Sequence, residues 1–118
     1  MIEKEFVPYE QALALKELGF NEPCFGSYDP FGSKQLSCSG IYTYGNCIAA
    51  PLYQQAFSFF REKYELDSTI ALVANGYGFY IHKNRNYTNK GENYGMYITY
   101  EEAELACLIK LIEIVKNK

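Results

Sequence analysis

The chain has no tryptophan and a single histidine, His82. With one imidazole, any acid–base chemistry near neutral pH has to centre on that residue or proceed without it. The four cysteines, Cys24, Cys38, Cys47 and Cys107, stand 14, 9 and 60 positions apart with no Cys-x-x-Cys pair, which is not the spacing of zinc ligands. No apolar run reaches the roughly 18 to 20 residues that cross a bilayer. The opening Met1-Ile2-Glu3-Lys4-Glu5 also lacks the basic and apolar regions of a secretory leader. These absences predict a soluble, unprocessed, cytoplasmic protein with reduced, mostly buried cysteines, no metal and no cofactor. A basic excess is missing too: 11 Lys and Arg against 14 Asp and Glu leave a net charge of −3, with no overall attraction to phosphate backbones.

What is present is a folding chain. At 118 residues, 48% apolar and 21% charged, it predicts one domain, residues 1–118, with its own core. Twelve Tyr and eight Phe supply large apolar area, the tyrosines carrying a polar tip suited to core rims and interfaces. Three segments open alike: Tyr9-Glu10-Gln11-Ala12, Tyr53-Gln54-Gln55-Ala56 and Tyr100-Glu101-Glu102-Ala103, 44 and then 47 residues apart. Each reads as a helix start, with an apolar docking pair made of Tyr and of Ala three positions on.

The first helix is predicted from about Pro8 to Leu18, because proline at a helix start forfeits no needed hydrogen bond and Glu10 faces the positive end of the dipole. Gly19 suits a left-handed C′ position, with Phe20 folding back onto Leu15 in a Schellman ending. A hairpin follows, Cys24 to Tyr28 and about Lys34 to Cys38, across the turn formers Asp29-Pro30-Phe31-Gly32-Ser33. From Ser39 to Ala50 the pattern is broken by Gly40 and Gly45-Asn46, and short strands or loop both fit. The second helix, about Leu52 to Tyr64, carries Leu52, Tyr53, Ala56, Phe57, Phe59, Phe60 and Tyr64 within an arc of about 160°. It is a one-sided helix.

Asn75-Gly76 is a type I′ turn signal. Centred there, the turn pairs Ala74 with Tyr77, Leu72 with Phe79 and Ile70 with Ile81 on a core face, and Val73 with Gly78, Ala71 with Tyr80 and Thr69 with His82 on the outer face. The polar stretch Asn84 to Gly95 reads as an exposed loop or hairpin tip, and Met96 to Ile98 as a short strand. In the third helix, about Tyr100 to Val115, Thr99 and Glu102 make a capping box, and Glu101, Glu102 and Glu104 suit the helix N-terminus. Its apolar residues, among them Ala103, Leu105, Cys107, Ile109 and Ile112, sweep about 240°, more than one sheet face covers. The expected fold is α+β in the order α-β-β-α-β-β-α, with a small antiparallel sheet of about four strands packed by helices.

The runs Ala12 to Phe20, Ala50 to Phe57 with Phe60-Arg61-Glu62-Lys63-Tyr64, and Thr99 to Leu108 resemble a family of small proteins encoded by bacteriophages and prophages of gut Bacteroidales. In that family Thr often stands at the position of Pro8, and an Arg-Trp pair at Ser58-Phe59. The resemblance implies a setting, a mobile genetic element inside a bacterial cell. It implies no activity and no catalytic residue.

Three function classes are weighed on the residues. A non-enzymatic accessory or regulatory interaction module, binding a protein partner or a second copy of itself, follows from the wide apolar arc of the third helix and the Tyr-rich outer hairpin face. Its candidate surface is Tyr80, His82, Tyr87, Tyr94, Leu105, Ile109 and Ile112. A single-stranded nucleic-acid binder is the alternative, since Lys83, Arg85 and Lys90 surround Tyr80, Tyr87 and Tyr94, although Glu92 weakens the patch. A small enzyme with a cysteine nucleophile and His82 as base comes third, because no nucleophile signature surrounds any cysteine. Gly76-Tyr77-Gly78 has neither the third glycine nor the following helix that nucleotide binding needs.

Overall fold

A computed structural model describes residues 5–20, 24–28, 34–41, 48–73, 76–83 and 92–117, with the backbone alone for 25, 34–41 and 92–95. The elements are α1 (Tyr9–Glu17), β1 (Cys24–Tyr28), β2 (Lys34–Ile41), β3 (Ile48–Ala50), α2 (Tyr53–Tyr64), β4 (Leu66–Val73), β5 (Gly76–Lys83), β6 (Glu92–Tyr97) and α3 (Tyr100–Lys116). The class is α+β, as the patterning predicts. The strands form two three-stranded antiparallel sheets, β2-β1-β3 and β4-β5-β6, where about four strands in one sheet were expected. The additions are β3 and a β6 that begins at Glu92, inside the stretch read as polar loop. By compactness the chain divides into two units, Met1–Ala56 and Phe57–Lys118.

In the first unit, α1 begins at Tyr9, with the Pro8 carbonyl accepting from the Ala12 N–H at 2.9 Å. It ends in the predicted Schellman motif. The Phe20 N–H donates to the Leu15 carbonyl and the Gly19 N–H to that of Lys16, both at 3.0 Å, while Gly19 takes φ 102°, a conformation that costs glycine little. Leu15 and Phe20, the two residues of the predicted apolar contact, are both buried. β1 is the central strand, pairing Tyr28 with Lys34 in β2 and with Ile48 in β3. The turn residues 29–33, predicted to join β1 and β2, lie outside the described residues. Phe6 bridges to Leu52, the Val7 N–H donates to the Pro51 carbonyl at 2.8 Å, and the Tyr28 hydroxyl donates to the Val7 carbonyl at 2.7 Å. Burial raises the Tyr28 phenol above its ordinary 10.0.

α2 starts at Tyr53, where the Leu52 N–H donates to Gln55 Oε1 at 3.0 Å, so a side chain one turn on satisfies the group that opens the helix. Tyr53, Ala56, Phe57 and Phe60 are buried while Gln54, Arg61, Glu62 and Lys63 face water, which is the one-sidedness read from the sequence. Glu65 follows at φ 55°, a left-handed hinge that turns the helix into β4.

The second unit is a meander closed by a helix. β4 and β5 pair Leu66 with Lys83, Ser68 with Ile81, Ile70 with Phe79, Leu72 with Tyr77 and Val73 with Gly76. This register lies two residues from the predicted one, so Gly76 is already in the ladder, while Ala74 and Asn75 lie outside the described residues. A Cβ on Gly76 would run into the Tyr97 carbonyl oxygen of β6, so the glycine serves a close backbone approach to a distant residue. Because the shift is even, every side chain keeps its predicted face. Phe79 and Ile81 are buried on the face that also carries Ser68 and Ile70, and Tyr97 stacks on Phe79 at 6.2 Å. α3 is capped by Thr99, whose Oγ1 accepts from the Glu102 N–H at 3.1 Å, and buries Ala103, Glu104, Cys107, Leu108, Leu111 and Ile112. Seventeen residues of helix at about 1.5 Å each match eight residues of strand at about 3.3 Å, so α3 runs the length of the sheet.

Candidate interaction surface

Matched lengths leave each end of the second unit defined by particular side chains. At one end α3 starts, β4 stops and β5 begins. There Leu72 is 75% exposed beside its ladder partner Tyr77, whose ring meets that of Tyr100 edge-to-face at 5.7 Å. Ile98 is 83% exposed, with Met96 two residues before it at 60% and Tyr100 two after it at 41%. Ile98 occupies the position before a helix cap, where an apolar residue commonly folds onto the fourth helical residue. That residue is Ala103, fully buried and too short to reach out, so Ile98 projects into water. The result is an apolar tip. Sequence reasoning missed it by pairing Leu72 with the buried Phe79, whereas its partner is Tyr77 at the open end of the same face. The signal was available in Ile98 directly ahead of Thr99, with only alanine at the staple position.

At the other end Leu66 and Ile114 floor an open groove of about 410 Å³ whose rim holds Lys83, Lys110, Glu113 and Asn117. Lys110 Nζ donates to Glu113 Oε1 at 3.2 Å, an exposed pair that contributes little. The rim carries two lysines and one glutamate, and α3 presents the negative end of its dipole there.

The structure distributes the sequence-predicted surface residues rather than gathering them. Tyr80 and His82 are half-buried on the sheet face away from α3, Leu105 is half-buried and Ile109 is 44% exposed. Ile112 is buried, because the covered half of α3 runs from Ala103 round to Ile112, so this residue belongs to the core and not to a surface. Tyr94 lies in β6, opposite Phe79 in the ladder, and Tyr87 lies outside the described residues. So do Arg85 and Lys90, the other residues of the basic and aromatic cluster.

Cys107 lies on the opposite side of the sheet from His82. Ser68 hydrogen-bonds its thiol, and Ser68 pairs with Ile81, the neighbour of His82 whose side chain points the other way. Burial pushes the thiol from an ordinary 9.0 up to about 12, partly offset by the Ser68 hydrogen bond, with the Glu104 carboxylate adding a lesser rise. Cys107 therefore stays a protonated core thiol, no nucleophile for His82 to activate. Cys24 is likewise free and buried. The capping role expected of the glutamates holds for position, with Glu101 and Glu102 exposed in the first turn, but Glu104 is only 4% exposed. At 100° per residue it projects between Leu111 and Val115, inside the apolar arc, so the helix turns it into the core.

Among the described residues no group of His, Cys, Asp and Glu could hold a metal ion, and no helix is long and apolar enough to cross a membrane. No protein-family model, no curated protein and no solved structure matches the chain.

Proposed function

We propose that this chain is a non-enzymatic interaction module of a mobile genetic element, acting in the cytoplasm by docking a protein on the apolar tip of its second unit. The observation that carries the reading is the exposure of Leu72 and Ile98, at 75% and 83%, at the end of the second unit where Tyr77 meets Tyr100. Burying one such side chain contributes about 1.5 to 3 kcal/mol, so a fold that leaves several of them together in water has that free energy in reserve for a partner. The mobile-element setting rests on the resemblance of the three helical segments.

A photoreactive amino acid placed at position 98, and at Lys116 as a control, tests this in the host cell. The reading expects a discrete protein adduct from position 98 that the control does not give. Adducts of equal yield at both positions, or none at 98, would remove it.

A further inference from the structure

Among the described residues of the second unit, the stretches that build the tip carry charge of one sign. No Lys or Arg occurs in residues 66–77 or 92–109, the stretches that build it, whereas Glu101 and Glu102 stand exposed directly after Tyr100. The start of α3 offsets only about half a positive charge of this, and Thr99 already occupies the Glu102 N–H. The basic side chains of the β-sheet and α3, Lys83, Lys110 and Lys116, sit toward the groove end or in the last turn of the helix.

Resting on the docking function above, we infer that the tip takes a basic amphipathic segment of its partner protein. Apolar side chains of that segment cover Leu72, Tyr77 and Ile98, while flanking Lys or Arg residues meet Glu101 and Glu102 and the ring of Tyr100. The same sign disfavours other occupants. A second copy related by a two-fold axis would set Glu101 and Glu102 against their own equivalents. Phosphate backbones and anionic lipid surfaces are repelled by the two carboxylates.

The test uses the full chain and three fluorescent 16-residue peptides: a helical Leu/Lys amphipath, the same pattern with Glu for Lys, and a Lys/Ser peptide without apolar residues. Fluorescence anisotropy is recorded at 50 and 300 mM NaCl. The Leu/Lys peptide is expected to bind, to weaken severalfold with salt, and to lose about tenfold with Ile98→Asp. Glu101→Gln with Glu102→Gln, which leaves the Thr99 cap in place, is expected to weaken it about three- to tenfold. Equal binding of the Leu/Glu peptide, or no effect of the Gln pair, overturns the basic partner and leaves an apolar docking surface standing. Equal binding of the Lys/Ser peptide overturns it as non-specific charge attraction. A dimer in sedimentation that Ile98→Asp dissociates also overturns it, with the interaction function intact and the second copy as occupant. Binding of none of the peptides by a monomeric chain overturns the inference, and the cross-linking at position 98 then decides the broader reading separately.

Discussion

The two compact units use apolar residues differently. Among the described residues the first leaves one large apolar side chain in the open, Leu13 at 37%, and the second leaves Leu72, Met96, Ile98, Tyr100 and Ile109. In the first unit polar backbone is tied inward: the Tyr28 phenol holds the Val7 carbonyl, Val7 holds Pro51, and the Schellman turn closes α1 over Leu15. In the second the core is as dry, with Phe79, Leu108 and Leu111 at 2% exposure or less, but the sheet and helix run out together and their last apolar residues meet water. Satisfying a core and covering a surface are separate demands, and the second unit meets only the first by itself.

Truncations give the largest expected contrast. Leu15→Ala in the first unit and Leu108→Ala in the second should each cost about 2 to 5 kcal/mol in urea denaturation, whereas Ile98→Ala should cost under about 0.5 kcal/mol. If Ile98→Ala cost as much as Leu108→Ala, the tip would be packed and the contrast between the units would collapse. Next in size, Gly76→Ala should destabilise by about 1 to 3 kcal/mol, since the added methyl meets the Tyr97 carbonyl and β6 must shift. An unchanged unfolding midpoint for Gly76→Ala would place β6 farther from β5 than described.

Alkaline pH separates the units by a titration. Both the Cys107 thiol and the Tyr28 phenol bind their protons more tightly folded than unfolded, so the stability each contributes is complete below the ordinary value and is lost as pH rises through the folded one. For Cys107 that loss runs from pH 9.0 to about 12, and for Tyr28 it begins at pH 10.0. Cys107→Ala should therefore flatten the onset near pH 9, and Tyr28→Phe only the later part; identical profiles for the two variants and the parent would contradict the burial of both groups. The smallest effect is a gain. Glu65→Gly, relieving φ 55° between α2 and β4, should stabilise by about 0.5 to 1 kcal/mol as read by the melting midpoint, and a loss of similar size would mean that the Glu65 side chain holds the hinge.

Helix grammar was the most legible layer. Tyr9, Tyr53 and Tyr100 are each the first helical residue, and the alanines three positions on, Ala12, Ala56 and Ala103, are all buried. Those signals are local, needing only a cap, a dipole and a face. The shared opening still does not make one repeated unit, because α1 precedes a sheet whose first strand is central and α3 follows a meander. Strand register was less legible. Asn75-Gly76 announces a turn, but the demand on Gly76 comes from Tyr97, a residue 21 positions away that no local signal reveals. Glu104 was hidden in the same way: a glutamate in the first turns of a helix suits the dipole, and only its phase relative to Leu108 and Leu111 tells that it points inward. The tip needed two distant facts at once, the exposure of Leu72 at the end of β4 and that of Ile98 before α3, and the register error concealed the first.

Chemical-shift mapping of the full chain titrated with the Leu/Lys peptide is the most direct measurement of the central claim. The account predicts shifts concentrated at Leu72, Tyr77, Ile98, Tyr100, Glu101 and Glu102, with Lys83, Lys110 and Glu113 of the groove unmoved. Shifts concentrated in the groove, or an unperturbed tip at saturating peptide, would contradict it.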